Sequence, residues 1–243
     1  MTDATITPES AALAWNDEYG RQGIPSSHRN DPSGVVLWAL DNLPHVASRK
    51  LETAIDLGCG TGRNSLALSE RGFSVTGIDF SDRALTIARG REGAERVTFI
   101  QGDLGAPLPA ASRSQDLAID VFVYFHQLGD AGRKGYRKEI RRVMSPDAVL
   151  LVSLATKEDG YYASCPRLAP EDFDSSIDLR WDPEAGVGNI LLTAEQLVEE
   201  FSDFFDLQMT WQKSKRGRMH GKDYQRFTVA TLWKPKTQVA KAG

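Results

Sequence analysis

The chain has 243 residues, 41% of them hydrophobic and 26% charged, with a formal net charge of −4 at pH 7. That length and apolar content suffice for one full core, and the acidic balance excludes a global positive field that would gather nucleic acid. No apolar run reaches the ~20 residues that span a bilayer, and the opening Met1-Thr-Asp-Ala-Thr-Ile6 has neither a basic segment nor an apolar core. The two cysteines, Cys59 and Cys165, make neither a disulfide framework nor a metal-ligand cluster, so no metal, no membrane partner and a cytoplasmic setting are expected. Residues Pro8 to Gln22 carry Ala12, Trp15 and Tyr19 at helical spacing, and Val35 to Leu43 predict a second apolar helix.

Ala54-Ile55-Asp56-Leu57-Gly58-Cys59-Gly60-Thr61-Gly62 places a short apolar strand directly before a three-glycine turn, and the helix predicted over Asn64 to Arg71 follows it. Glycines at alternate positions let backbone amides approach a ligand without Cβ clashes, and the helix start offers unpaired N–H groups. A dinucleotide fingerprint needs G-x-G-x-x-G, but counting from Gly58 puts Arg63 where the last glycine should stand. The G-x-G-x-G spacing, with Asp56 two residues ahead, resembles motif I of class I S-adenosylmethionine (SAM) methyltransferases.

A second strand, Phe73 to Asp79, ends in an acid where a Rossmann-like sheet presents a carboxylate to ribose hydroxyls. Ser81 is placed to cap the next helix, and Phe80 to lie on the adenine face. A third strand from Val97 ends in Gly102-Asp103-Leu104, which resembles the element that meets the adenine amino group in these enzymes. The fourth, Asp116 to Phe125, is followed directly by His126. Between Gly132 and Met144 the pairs Arg133-Lys134, Arg137-Lys138 and Arg141-Arg142 recur at helical spacing and predict a solvated basic face.

After strand five, Val149 to Leu154, regular patterning stops over 156–192, an insertion with Tyr161, Tyr162, Cys165 and Trp181 that we expect to cover a substrate. Thr193-Ala-Glu-Gln196 is a capping box for a helix reaching Phe201. Two strand-like runs follow, Phe205 to Trp211 and Tyr224 to Trp233, joined by a charged loop holding Lys213-Ser-Lys215-Arg216-Gly-Arg218, with a second histidine candidate, His220, in the turn.

This ordering resembles the seven-strand class I methyltransferase fold: an α/β, Rossmann-like, mostly parallel sheet with helices on both faces and a C-terminal antiparallel hairpin. Gly60 to Leu68 with Gly72 looks most like the tellurite-resistance-type and related small-molecule methyltransferases. The domain plan expected is an N-terminal helical cover over 1–49, a SAM-dependent methyltransferase domain over 50–234 and a loose tail over 235–243. The resemblance implies Asp56, Gly58, Gly60, Gly62, Asn64, Asp79, Phe80, Asp103, Leu104 and Val121 as cofactor residues. His126 with Asp120 would serve catalysis, and Trp15, Tyr19, Tyr161 and Tyr162 the substrate.

The chemistry implied is an in-line displacement that leaves S-adenosylhomocysteine and requires alignment and exclusion of water, with a base only where the acceptor loses a proton. The Asn/Asp-Pro-Pro-aromatic clamp for planar nitrogen is absent after strand four, Cys165-Pro166 reverses the order of a cytosine nucleophile, and no acidic cluster stands out for a catechol-binding metal. A small-molecule acceptor remains. Two alternatives stay open, a nucleoside-dependent or aminopropyl-type transferase and a non-catalytic SAM-binding regulator, while Arg63 disfavours a nucleotide-dependent oxidoreductase.

Overall fold

A computed structural model describes residues 8–21, 28–168 and 177–237. Met1 to Ile6, Gln22, residues 169–176 of the insertion and residues 238–243 of the tail lie outside the described residues. Two helices come first, α1 (Pro8–Arg21) and α2 (Gly34–Val46). The alternating unit follows: β1 (Thr53–Leu57), α3 (Arg63–Glu70), β2 (Ser74–Asp79), α4 (Asp82–Arg89), β3 (Val97–Gln101), β4 (Gln115–Val121), α5 (Asp130–Val143) and β5 (Met144–Ala155). The insertion holds α6 (Gly160–Ser164), β6 (Arg167–Leu168), β7 (Asp178–Asp182) and β8 (Val187–Leu191), and α7 (Ala194–Phe201), β9 (Phe205–Met219) and β10 (Lys222–Pro235) complete the chain.

The main sheet runs β3-β2-β1-β4-β5-β10-β9, parallel through β5 and antiparallel at β10 and β9. Successive strand residues point to opposite faces. Ile55, Leu57, Ala118, Leu150 and Val152 therefore pack with Tyr136 and Ile140 of α5 and Phe201 of α7. Ala54, Leu117, Ile119, Val149 and Leu151 pack on the other face with Val36 and Leu43 of α2 and Leu68 of α3. The parity also sorts the acids. Asp56 points to the α3 face, where its Oδ2 accepts from the Ser65 hydroxyl at 2.6 Å, and Asp120 points to the α5 face, where its Oδ2 accepts from the Tyr136 hydroxyl at 2.8 Å. Strand order reverses at the β1–β4 junction, the switch point outside whose carboxyl ends open α/β sheets hold ligands.

Five expectations change. The fourth strand stops at Val121 instead of Phe125, because the Asp120 carboxylate accepts from the Val123 and Tyr124 N–H groups and folds the chain into a 3-10 turn over Tyr124–His126, with Phe122 at φ 63°. The insertion is regular where the sequence predicted irregularity: β6, β7 and β8 form a three-stranded antiparallel sheet under α6.

Lys213 to Arg218 lie inside β9, not in a loop; the hairpin turns at His220-Gly221, both at positive φ, as a two-residue loop between right-twisted strands requires. Pro235 pairs with Phe205, so strand continues into the expected tail. The basic stripe of α5 divides: Lys134 and Lys138 face water, whereas Arg133 and Arg137 are buried and pair with Glu200 of α7 at 3.0 and 2.8 Å. No helix among the described residues is long and apolar enough to cross a membrane, and no group of three His, Cys, Asp or Glu among them is arranged to hold a metal.

Candidate active site

Gly58, Gly60 and Gly62 all have positive φ, at 66°, 54° and 77°, a region that side chains with a Cβ enter only with strain. Each also touches a different neighbour. A Cβ on Gly58 would overlap the Val123 side chain after β4, one on Gly60 would lie 2.7 Å from the Tyr19 hydroxyl of α1, and one on Gly62 would lie 2.8 Å from the Phe99 ring of β3. The loop is thus bare backbone at the meeting point of α1, β3 and the β4 turn. Asp79 stands over it: Oδ2 accepts from Gly60 N and Oδ1 from Ser81 N, both at 2.8 Å. Burial raises its pKa, and these backbone donors work against the rise. Each oxygen keeps a further lone pair.

Ser81 caps α4 as expected, accepting from Ala84 N at 3.1 Å, and its hydroxyl donates at 2.7 Å to Asn16 of α1. Asn16 was not singled out in the sequence because it lies off the Ala12-Trp15-Tyr19 stripe, yet it pins α1 across the cradle. Trp15 then meets His126 edge-on, ring centroids 5.2 Å apart, and the Phe125 ring lies 4.2 Å away on another side. His126 Nδ1 is 3.3 Å from the Gly188 carbonyl of β8. A carbonyl only accepts, so Nδ1 carries the proton and Nε2 keeps its lone pair. Burial lowers the imidazole pKa to about 4, which leaves the ring neutral near pH 7.

The remaining residues singled out in the sequence separate into two groups. Near the cradle, Phe80 and Val121 are half-buried, Asp103 is exposed with its Oδ1 accepting from Gly105 N at 2.8 Å, and Leu104 is buried beside it. Away from open space are Asp56, Asn64, Asp120 and Tyr161. Asp56 and Asp120 are 1% and 0% exposed and bound as described above, with pKa values raised by burial to about 7 and about 6. Asn64 Oδ1 accepts from Ser33 N at 2.9 Å, which ties α3 to the start of α2. Tyr161 donates to Asp182 at 2.8 Å, while Tyr162 lies edge-on to Phe125 at 5.4 Å and so borders the His126 side. His220 stacks on Tyr161 at the hairpin turn, apart from the His126 cluster.

A family model described as a methyltransferase domain matches residues 54–147, the span that holds the glycine loop, Asp79, Asp103 and the His126 turn. Residues 54–147 thus have the pattern of a methyltransferase domain. Among curated proteins, the chain is 34% identical over 156 residues to the malonyl-[acyl-carrier protein] O-methyltransferase of Serratia marcescens, covering 63% of this chain and 56% of the relative. It is 29% identical over 137 residues to the O-antigen chain terminator bifunctional methyltransferase/kinase WbdD of Escherichia coli, covering 55% of this chain and 19% of the relative. The chain thus spans about half of one relative and a fifth of the other. Among solved structures, the Burkholderia thailandensis 1,6-didemethyltoxoflavin-N1-methyltransferase, crystallised with its didemethyltoxoflavin and S-adenosylhomocysteine, superimposes with a TM-score of 0.63 at 19% identity, covering 97% of this chain and 94% of that one. That likeness is one of fold.

Proposed function

We propose that the protein transfers a methyl group from SAM to a small-molecule acceptor. The observation that carries this reading is the bare Gly58-Gly60-Gly62 loop under Asp79 at the switch point, inside the span that the methyltransferase domain model matches. The outward lone pairs of Asp79 take the two ribose hydroxyls, Phe80 and Leu104 flank the adenine ring, Asp103 accepts from its amino group, and the loop backbone with Val121 lines the methionine arm. SAM supplies an already activated sulfonium methyl. Asp56, Asn64 and Asp120 act as positioning residues, holding α3, α2 and the β4 turn in place.

The acceptor sits between the loop and His126, under Trp15 and Tyr19 of α1, so the N-terminal helix serves as the cover. Its lone pair forms the new bond to the methyl carbon as the carbon–sulfur bond breaks, and S-adenosylhomocysteine departs. Where the nucleophile carries a proton, Nε2 of His126 receives it. With its pKa near 4 the imidazole is a weak base, so the proton moves together with methyl transfer and not before it. Tyr162 borders this space through Phe125, and Tyr161 supports the wall behind it. Kinship with the tellurite-resistance type rests on the segment Gly60 to Leu68. Incubation with methyl-labelled SAM and a panel of small hydroxyl, amine and thiol acceptors tests the reading: label enters at least one product with equimolar S-adenosylhomocysteine. Transfer of an aminopropyl group from decarboxylated SAM, with none of methyl, would refute it.

A further inference from the structure

Asn189 lies in the middle of β8, fully buried, and neither its Oδ1 nor its Nδ2 has a hydrogen-bond partner among the described residues. Buried amides with both ends unpaired are rare, because each end forfeits its bonds to water. Val187 and Leu191, which share its face of β8, belong to the apolar core, so the amide stands beside apolar neighbours that offer it no hydrogen bond.

Its location links it to the site. The Gly188 carbonyl, one residue earlier, is the atom that His126 Nδ1 meets, so the free edge of β8 runs along the turn carrying His126. Asn189 stands opposite Arg180 on β7, and cross-strand partners share a face. Arg180 donates to the Ala163 and Cys165 carbonyls, so that face lies beneath α6, the element that sets Tyr162 against Phe125.

We infer that Asn189 reads the methyl acceptor, and that the acceptor is a flat ring compound with a hydrogen-bond donor beside an acceptor, as in a lactam. This rests on the methyl-transfer reading. A primary amide offers an acceptor and an NH2 donor side by side, so a lactam edge gives one hydrogen bond to each end, and Phe125 and Tyr162, packed edge-on against each other, supply aromatic surroundings that suit a flat ring.

The test titrates 2-quinolone, which carries N–H next to C=O, and quinoline, its counterpart without that edge, into protein saturated with S-adenosylhomocysteine. The wild type binds 2-quinolone at least about tenfold more tightly. Asn189→Leu loses that preference, keeps S-adenosylhomocysteine affinity within about twofold and melts no lower than the wild type. Equal affinity for the two compounds, binding of neither, or a preference that survives in Asn189→Leu would overturn the inference and leave Asn189 as the seat of a trapped water. The wild-type comparison stands even if the variant fails to fold. Failure of the wild type to bind S-adenosylhomocysteine would be a different result, and would remove the methyl-transfer reading itself.

Discussion

The two ends of the parallel sheet handle buried acids in opposite ways. At the amino end of β4, Asp116 meets the Arg49 guanidinium and also accepts from Glu52 N at 3.0 Å and the Ser145 hydroxyl at 2.9 Å, which hold its pKa at about 2 against a burial effect that would raise it. At the carboxyl end, Asp56, Asp79 and Asp120 have no ion pair among the described residues; hydroxyl and backbone N–H groups are their partners, and burial pushes all three upward. The first arrangement is complete in itself and serves folding. The second relies on hydroxyl and backbone donors in place of an ion pair, so burial raises these carboxyls around the glycine loop, and in the proposed reading a cationic sulfonium cofactor would add positive charge there.

Changes at the two ends should separate cleanly, and the largest effect belongs to the loop. Gly60→Val puts a β-branched residue at φ 54° and drives its Cβ into the Tyr19 hydroxyl, so S-adenosylhomocysteine affinity falls by more than about 1,000-fold in calorimetry while the pairing of Arg49 with Asp116 is untouched. His126→Ala lowers kcat by about 100-fold or more for acceptors whose nucleophile carries a proton, with unchanged cofactor affinity. With the wild-type imidazole neutral above pH 4, steady-state rates from pH 5 to 8 show no inflection from His126. Asp79→Asn weakens cofactor binding by roughly 10- to 150-fold through loss of charge-assisted bonds. Asparagine is the milder choice here, because its Oδ1 still accepts from one of the Gly60 and Ser81 N–H groups whereas alanine orphans both.

Asp56→Asn acts on pH dependence. The folded carboxyl holds its proton up to about pH 7 whereas the unfolded one releases it near 3.8, so the native state binds more protons between those values and stability falls as pH rises through them. Denaturant titrations of Asp56→Asn should show that slope flattened. The smallest effect on ligand comes from the far end. Arg49→Ala leaves cofactor affinity within about twofold. Its mark is on acid stability: the wild type gains from Asp116 above about pH 4 and loses that gain as pH falls toward 2, and the variant, left with Glu52 N and Ser145 as donors, shows a smaller gain.

The sequence made the ligand end legible because glycine spacing, strand-terminal acids and capping residues are local. Ser81 caps α4, and Thr193 with Gln196 forms the full capping box, as their spacing predicted. What escaped depends on distant partners. Asp120 has the pattern of a strand residue until Val123 and Tyr124 turn back on it, and nothing near Arg133 or Arg137 foretells Glu200 across the sheet face. Lys213 to Arg218 resembled a loop because this part of β9 is exposed, which removes the apolar alternation that marks a half-buried strand. The β7–β8 hairpin had a visible turn in Asp182-Pro-Glu-Ala-Gly186, where the Asp182 carboxylate accepts from Glu184 N and Ala185 N, but its strands of five residues were too short to announce themselves. Asn64 shows a second use of a motif residue, since its side-chain oxygen accepts from Ser33 N and ties α3 to α2, a partner that its spacing did not reveal.

The central claim is that the glycine loop under Asp79 is a SAM site, and calorimetric titration of the wild type, Gly60→Val and Arg49→Ala with S-adenosylhomocysteine and with NAD tests it most directly. The account predicts micromolar or tighter binding of S-adenosylhomocysteine to the wild type and Arg49→Ala, none to folded Gly60→Val, and no binding of NAD to any of them. Binding of NAD in preference to S-adenosylhomocysteine, or full S-adenosylhomocysteine affinity in Gly60→Val, would contradict it.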